Sequence, residues 1–87
     1  MEFARSKSGH DKNQIYLIKE KDEKFVYLVN GTTRIMDMQK KKSAKHIQII
    51  KNLPIEVTEI LEENLSDLTV KRAIKQYCQM NDGRQES

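Results

Sequence analysis

The 87-residue chain has one cysteine, one proline, three glycines, no tryptophan and only 6% aromatic residues. A single thiol, Cys78, excludes an intrachain disulfide, and a chain without disulfides suits a reducing compartment. One cysteine and two histidines, His10 and His46, lack the spacing of a metal-ligand set. The longest apolar runs are about five residues, far short of the roughly 20 that span a bilayer. The opening Met-Glu-Phe-Ala-Arg has no apolar core of the secretory type. These absences predict a soluble, cytoplasmic protein. A chain this short buries only about 60% of its unfolded surface, leaving little room for a catalytic cleft. The Gly-x-x-x-x-Gly-Lys-Ser/Thr spacing of a P-loop is missing, and no Ser/His/Asp or paired-carboxylate constellation stands out. No enzyme, cofactor or metal is expected.

Charge is abundant but unevenly placed. Charged residues make up 33% of the chain, and the net charge is +3. Residues 1–52 carry +6 and residues 53–87 carry −3. The change falls near Asn52-Leu53-Pro54, where the hydrophobic pattern also changes period. The expected organisation is a basic β unit over 1–52, an acidic two-helix extension over 53–80 and a flexible tail over 81–87. Apolar residues cluster in clear runs, so wholesale disorder is not expected.

In the front half the expected strands are Phe3–Ser6, Gln14–Lys19, Phe25–Val29, Thr32 to Met36 or Met38, and Ile47–Ile50. Asn30-Gly31 lies between two β-rich runs and predicts a tight type I′ hairpin, whose central residues need positive φ. Met36 and Met38 would then share one strand face as packing groups. Five short, closely spaced strands predict a small twisted barrel. In the back half Asn52 is a plausible N-cap and Pro54 suits a first helical turn. Ile55, Val57, Ile60, Leu61 and Leu65 follow with helical spacing, and Ser66-Asp67 interrupts them. A second helix places Val70, Ala73, Ile74, Tyr77 and Cys78 on one apolar face. Asn81-Asp82-Gly83 should end it.

The chemistry concentrates in cations. Lys40, Lys41, Lys42, Lys45 and His46 form a dense block after the expected hairpin, with Arg34 on the adjoining strand. Lys7 and Lys12 flank Gly9 in the polar loop Ser6–Asn13. Such density calls for an anionic ligand, and RNA or DNA is the common intracellular polyanion. About five engaged phosphates would give a log–log salt slope of about −3.5 to −4.5. The bland alternative is a solvated lysine-rich connection. Tyr16, Phe25 and Tyr27 read mainly as core, an exposed one being available to stack on a base.

Three segments resemble the small bacterial KOW-domain RNA-binding proteins. They are Ser6-Lys-Ser-Gly-His-Asp-Lys-Asn, Tyr27-Leu-Val-Asn-Gly-Thr-Thr-Arg and Lys40-Lys-Lys-Ser-Ala-Lys-His-Ile-Gln. That family is related to KOW-containing large-subunit ribosomal proteins. The resemblance covers about residues 5–80 and implies a five-stranded SH3-like barrel followed by two helices. It further implies binding of structured RNA, with ribosomal RNA or the ribosome as the partner. Lys7, Gly9, Asp11 and Lys12 fall in its KOW loop, and Lys40, Lys41, Lys42, Lys45 and His46 match its basic segment. Asn13 stands where the family usually has glycine, and Gln39 where it often has proline. Since KOW domains also occur in transcription elongation factors such as NusG, the rival expectation is a protein-interaction module. A protein partner would then dock on the C-terminal helices.

Overall fold

Four of the five strands alternate apolar side chains between two faces, the inner one enclosed by the sheet itself and the outer one covered in part by the helices. The computed structural model describes the backbone of residues 1–86 and the side chains of residues 1–80. The strands are β1 (Phe3–Ser6), β2 (Ile15–Lys21), β3 (Phe25–Val29), β4 (Lys40–Ser43) and β5 (Ile47–Ile50). They form one antiparallel sheet in the order β4-β3-β2-β1-β5. A flat sheet of this width would separate its edge strands by about 19 Å. The chain nevertheless passes from β4 to β5 through the three residues Ala44–His46, one turn of 3-10 helix. Such a turn advances only about 2 Å per residue. The sheet must therefore curl until its edges approach, although it does not close into a barrel.

Curling creates an inner face and an outer face. Ala4, Tyr16, Val26, Leu28 and Ile47 fill the inner one. Phe3, Ile15, Leu17 and Val29 point the other way and meet the helices α1 (Ile55–Glu63) and α2 (Asp67–Glu86). Val57, Leu61, Val70, Ala73 and Tyr77 supply the helical half of that cluster. Tyr77 meets Phe3 edge-on, with ring centroids 5.5 Å apart. The helices thus pack on the sheet, and both halves of the chain share one core. Among the described residues no helix is long and apolar enough to cross a membrane.

Several local expectations are corrected. Thr32–Met38 is not a strand, and Asn30-Gly31 is not a two-residue hairpin turn. Ten residues separate β3 from β4, and Gly31 has positive φ but Asn30 does not. The Asn30 carboxamide oxygen accepts the N–H groups of Thr32 and Arg34, drawing the segment away from a ladder. Asp67 Oδ1 then accepts the Met36 N–H at 2.7 Å, tying the loop to the start of α2. Met36 packs on the core, whereas Met38 is exposed, so they do not share a packing face. The fourth strand is the lysine block itself, pairing with Phe25–Leu28.

In the back half, α1 begins after Pro54 rather than from a cap at Asn52, and it ends at Glu63, leaving Leu65 exposed outside it. Ser66 does mark the break. Its hydroxyl accepts the Thr69 N–H while Thr69 Oγ1 accepts the Ser66 N–H, a reciprocal cap for α2. Helix α2 continues across Asn81-Asp82-Gly83, since a single internal glycine costs a helix only about 1 kcal/mol. The backbone of the expected tail is helical as far as Glu86, and the side chains of 81–87 lie outside the described residues.

Gly31 is required twice over. Its φ is +81°, and an added Cβ would lie 2.2 Å from the Asp67 carbonyl oxygen and 2.8 Å from the Lys71 nitrogen. Gly9 shares the positive φ, but its nearest neighbour would be an Asp11 oxygen at 3.6 Å. Gly31→Ala should therefore cost at least about 2 kcal/mol in urea unfolding, whereas Gly9→Ala should cost only the left-handed backbone term of about 1–2 kcal/mol. Equal losses would contradict the close approach of α2.

Candidate nucleic-acid interface

The cations of the front half are organised around one carboxylate. Asp11 is buried in the loop between β1 and β2. Its Oδ1 accepts from Ser6 Oγ at 2.9 Å and from Lys42 Nζ at 2.8 Å. Its Oδ2 accepts from Lys40 Nζ at 2.7 Å and from the Tyr16 hydroxyl at 3.1 Å. Lys42 Nζ also donates to Ser6 Oγ and to the Ser8 carbonyl. Burial alone would raise the Asp11 pKa, but hydrogen bonds from Lys40, Lys42, Ser6 and Tyr16 outweigh it. The carboxyl is held well below the usual carboxylate range. Burial and the adjacent Asp11 push the Tyr16 phenol the other way, to about 12.

Strand geometry explains which lysines reach Asp11. Lys40 and Lys42 lie two apart on β4, opposite Leu28 and Val26, and so share the inner face. Lys41 alternates to the outer face opposite Tyr27, with its Nζ 4.2 Å from the centre of the Phe25 ring. The three lysines therefore do not form a single cationic block. Two are bonded to a buried carboxylate and the third points elsewhere.

The loop that holds Asp11 is tightly closed. Asn13 donates to the Ser6 carbonyl, Lys12 to Gly9, Gln14 to Asp11, and Ser6 to Gln14. Gly9 and Asn13 both have positive φ, at 86° and 73°, and asparagine is among the few non-glycine residues that visit this region routinely. Lys7 N–H donates to the His46 carbonyl at 2.9 Å, fastening the loop to the 3-10 turn after β4. Lys7 and Lys12 on the loop are exposed, as are Lys45 and His46 on the turn. Arg34 is also exposed, and its charge acts on the Tyr16 phenol. Among the described residues the ion pairs are Lys21–Glu2, Lys40–Asp11 and Lys42–Asp11. Lys7, Lys12, Arg34 and Lys45 thus have no carboxylate partner there.

Of the residues singled out from sequence, Lys7, Gly9, Lys12, Lys45 and His46 come together on the loop and turn. Lys40 and Lys42 lie beneath them in the Asp11 cluster, and Lys41 lies outside it. Sequence reading placed Asp11 in the KOW-like loop but missed its role as the acid that organises Lys40 and Lys42, together with Ser6 and Tyr16. The available signal was the Lys-x-Lys alternation of a strand and a lone aspartate in a short polar loop. No protein-family model matches the chain, and no curated protein matches it.

Breaking a buried ion pair costs about 3–5 kcal/mol. Asp11→Asn should lie near the low end, about 3 kcal/mol, because the partly exposed Lys40 ammonium can turn to water. A depressed folded pKa adds stability above the unfolded value of about 3.9 and loses it as pH falls below. Wild-type urea midpoints should therefore hold from pH 7 to about pH 5 and drop below about pH 4. The Asp11→Asn curve should start lower and lack that part of the drop; parallel curves would rule out the ionised cluster.

Proposed function

We propose that the chain is a non-enzymatic RNA-binding module of the ribosome or ribosomal RNA, using the exposed Lys7, Lys12, Lys45 and His46 with Arg34 to contact phosphates. The observation that carries this reading is the loop–turn junction. A buried Asp11 consumes Lys40 and Lys42, and the rigid loop it fastens presents other cations that no described carboxylate neutralises. Neighbouring loop amides add to this, since the N–H groups of Ser8, Gly9 and His10 have no protein acceptor among the described residues. Rigid turns with spare amides and nearby cations suit phosphate oxygens. Recognition rests on backbone and shape. The curled five-stranded sheet, its edge strands joined by one 3-10 turn, is compatible with an incompletely closed SH3-like barrel. The KOW-like segment Ser6–Asn13 contains the loop, and Lys40–Gln48 contains the turn together with β4 and the start of β5.

A second reading has its own support. Ile55 and Leu68 are 69% and 63% exposed at the starts of the two helices, and a protein partner would cover them. Pulldown before and after nuclease treatment separates the two: RNA-independent partners favour the second reading.

With about four phosphates engaged rather than five, the salt slope should fall between about −2.8 and −3.6. The triple variant Lys7→Glu, Lys12→Glu, Lys45→Glu should weaken binding to a structured ribosomal RNA fragment at least tenfold, measured by fluorescence anisotropy, with an unchanged melting temperature. A smaller loss would refute the phosphate-contact reading. Reversing Lys40 and Lys42 is not an equivalent test, because it would break the Asp11 cluster and the fold with it.

A further inference from the structure

The outer end of β3 presents an aromatic ring in a groove bordered by three lysines and two carboxylates. Val26 and Leu28 point into the inner cluster, so Phe25 and Tyr27 share the opposite face with Val29. The helices cover Val29 but do not reach the other two. Phe25 and Tyr27 remain half-buried where the face is open. Phe25 lines two adjoining grooves of about 330 Å³ each, at the lower end of small-ligand sites. One is formed by Glu23, Lys24, Phe25, Ser43, Ala44 and Lys45. Lys41 stands over the ring from the neighbouring strand. Lys24, Lys41 and Lys45 have no carboxylate partner among the described residues.

The ring is also held in place. Asp22 Oδ1 accepts the N–H groups of Lys24 and Phe25 at 2.9 and 2.8 Å, and the Asp22 N–H donates to the Phe25 carbonyl. The Ala44 N–H donates to the Lys24 carbonyl, joining this turn to the end of β4. Asp22 therefore spends an oxygen on the backbone, yet it stays ionised beside Lys41 and lines the second groove with Glu23, so two carboxylates border the ring as well.

A π surface with the Lys41 ammonium over it and Lys24 and Lys45 lining its groove suits a ligand with both a flat π face and negative charge, the carboxylates Asp22 and Glu23 opposing that charge in part. Within RNA, a duplex hides its base faces in the stack, and only an unpaired nucleotide offers one. The geometry points to a single-stranded nucleotide site in which one unpaired base stacks on Phe25 while Lys24, Lys41 and Lys45 hold the flanking phosphates. The Lys41 ammonium gives up only a weak, exposed cation–π contact to do so. This site rests on the RNA-binding reading above and adds to it a preference for unpaired bases, on a surface separate from the Asp11 loop and meeting it only near Lys45.

The test compares three ligands of equal length: a 12-nucleotide oligouridine, its duplex with oligoadenosine, and an abasic ribose-phosphate strand. Wild type should bind oligouridine at least fivefold more tightly than the abasic strand. Phe25→Leu, which keeps apolar bulk and removes the ring, should lose roughly 5- to 150-fold on oligouridine, the range for one stacked base. Its affinity for the duplex and its salt slope should not move. Glu23→Gln should tighten oligouridine binding. Should Phe25→Leu melt, upfield shifts of the wild-type Phe25 ring protons on adding oligouridine report the stack directly. Equal binding of oligouridine and abasic strand, an effect of Phe25→Leu below twofold, or unmoved ring protons would overturn the site while leaving duplex binding intact. Failure of wild type to bind any of the three would overturn this site and the RNA-binding reading together.

Discussion

The buried carboxylate of Asp11 is the constraint on which the arrangement depends. It joins the end of β1 through Ser6, β2 through Tyr16 and the edge strand β4 through Lys40 and Lys42. Removing a charged group from water is expensive unless it is paired and hydrogen-bonded. Here four donors converge on two oxygens, and no buried side-chain polar atom among the described residues is left without a partner. The geometry that satisfies Asp11 also requires the curl, since Lys42 on the edge strand β4 reaches Ser6 and Ser8 only when β4 approaches β1, three strands along the sheet.

That constraint divides the cations by role. Lys40 and Lys42 hold the sheet together, and the exposed cations of the loop and the 3-10 turn have no carboxylate partner among the described residues. A count of positive charges merges the two groups and overstates the charge that no carboxylate neutralises. Lys41 belongs to neither group, because strand alternation turns it to the far side and over Phe25. The rigidity of the loop follows from the same bonds: backbone closure around Ser6–Gln14 fixes where Lys7 and Lys12 emerge.

Much of the fold is legible in the sequence because local rules and burial agree there. Phe3–Ser6, Phe25–Val29 and Ile47–Ile50 read as strands and are strands. The apolar face of Val70, Ala73 and Tyr77 packs as its spacing indicates. Reading fails where a distant partner overrides local preference. Thr32–Met36 has β-branched character, yet Asn30 and Asp67 capture its amides and keep it out of the sheet. Lys40–Ser43 lacks strand-like hydrophobicity, yet it pairs with β3 and its lysines find an acid about thirty positions earlier. No window of local sequence contains both ends of that interaction. The same applies in part to Gly31: its positive φ is local turn chemistry, but the close approach of α2 that also forbids a side chain is not.

The composition of β4 has a consequence for how copies of this protein behave in concentrated solution. An outer strand normally offers its open backbone as a template on which another chain can grow a larger sheet. Here that strand carries three consecutive lysines. A second molecule adding itself there in antiparallel fashion would stack like charges directly across from one another, which is unfavourable. The residues that curl the sheet also make its rim a poor nucleus for fibrils.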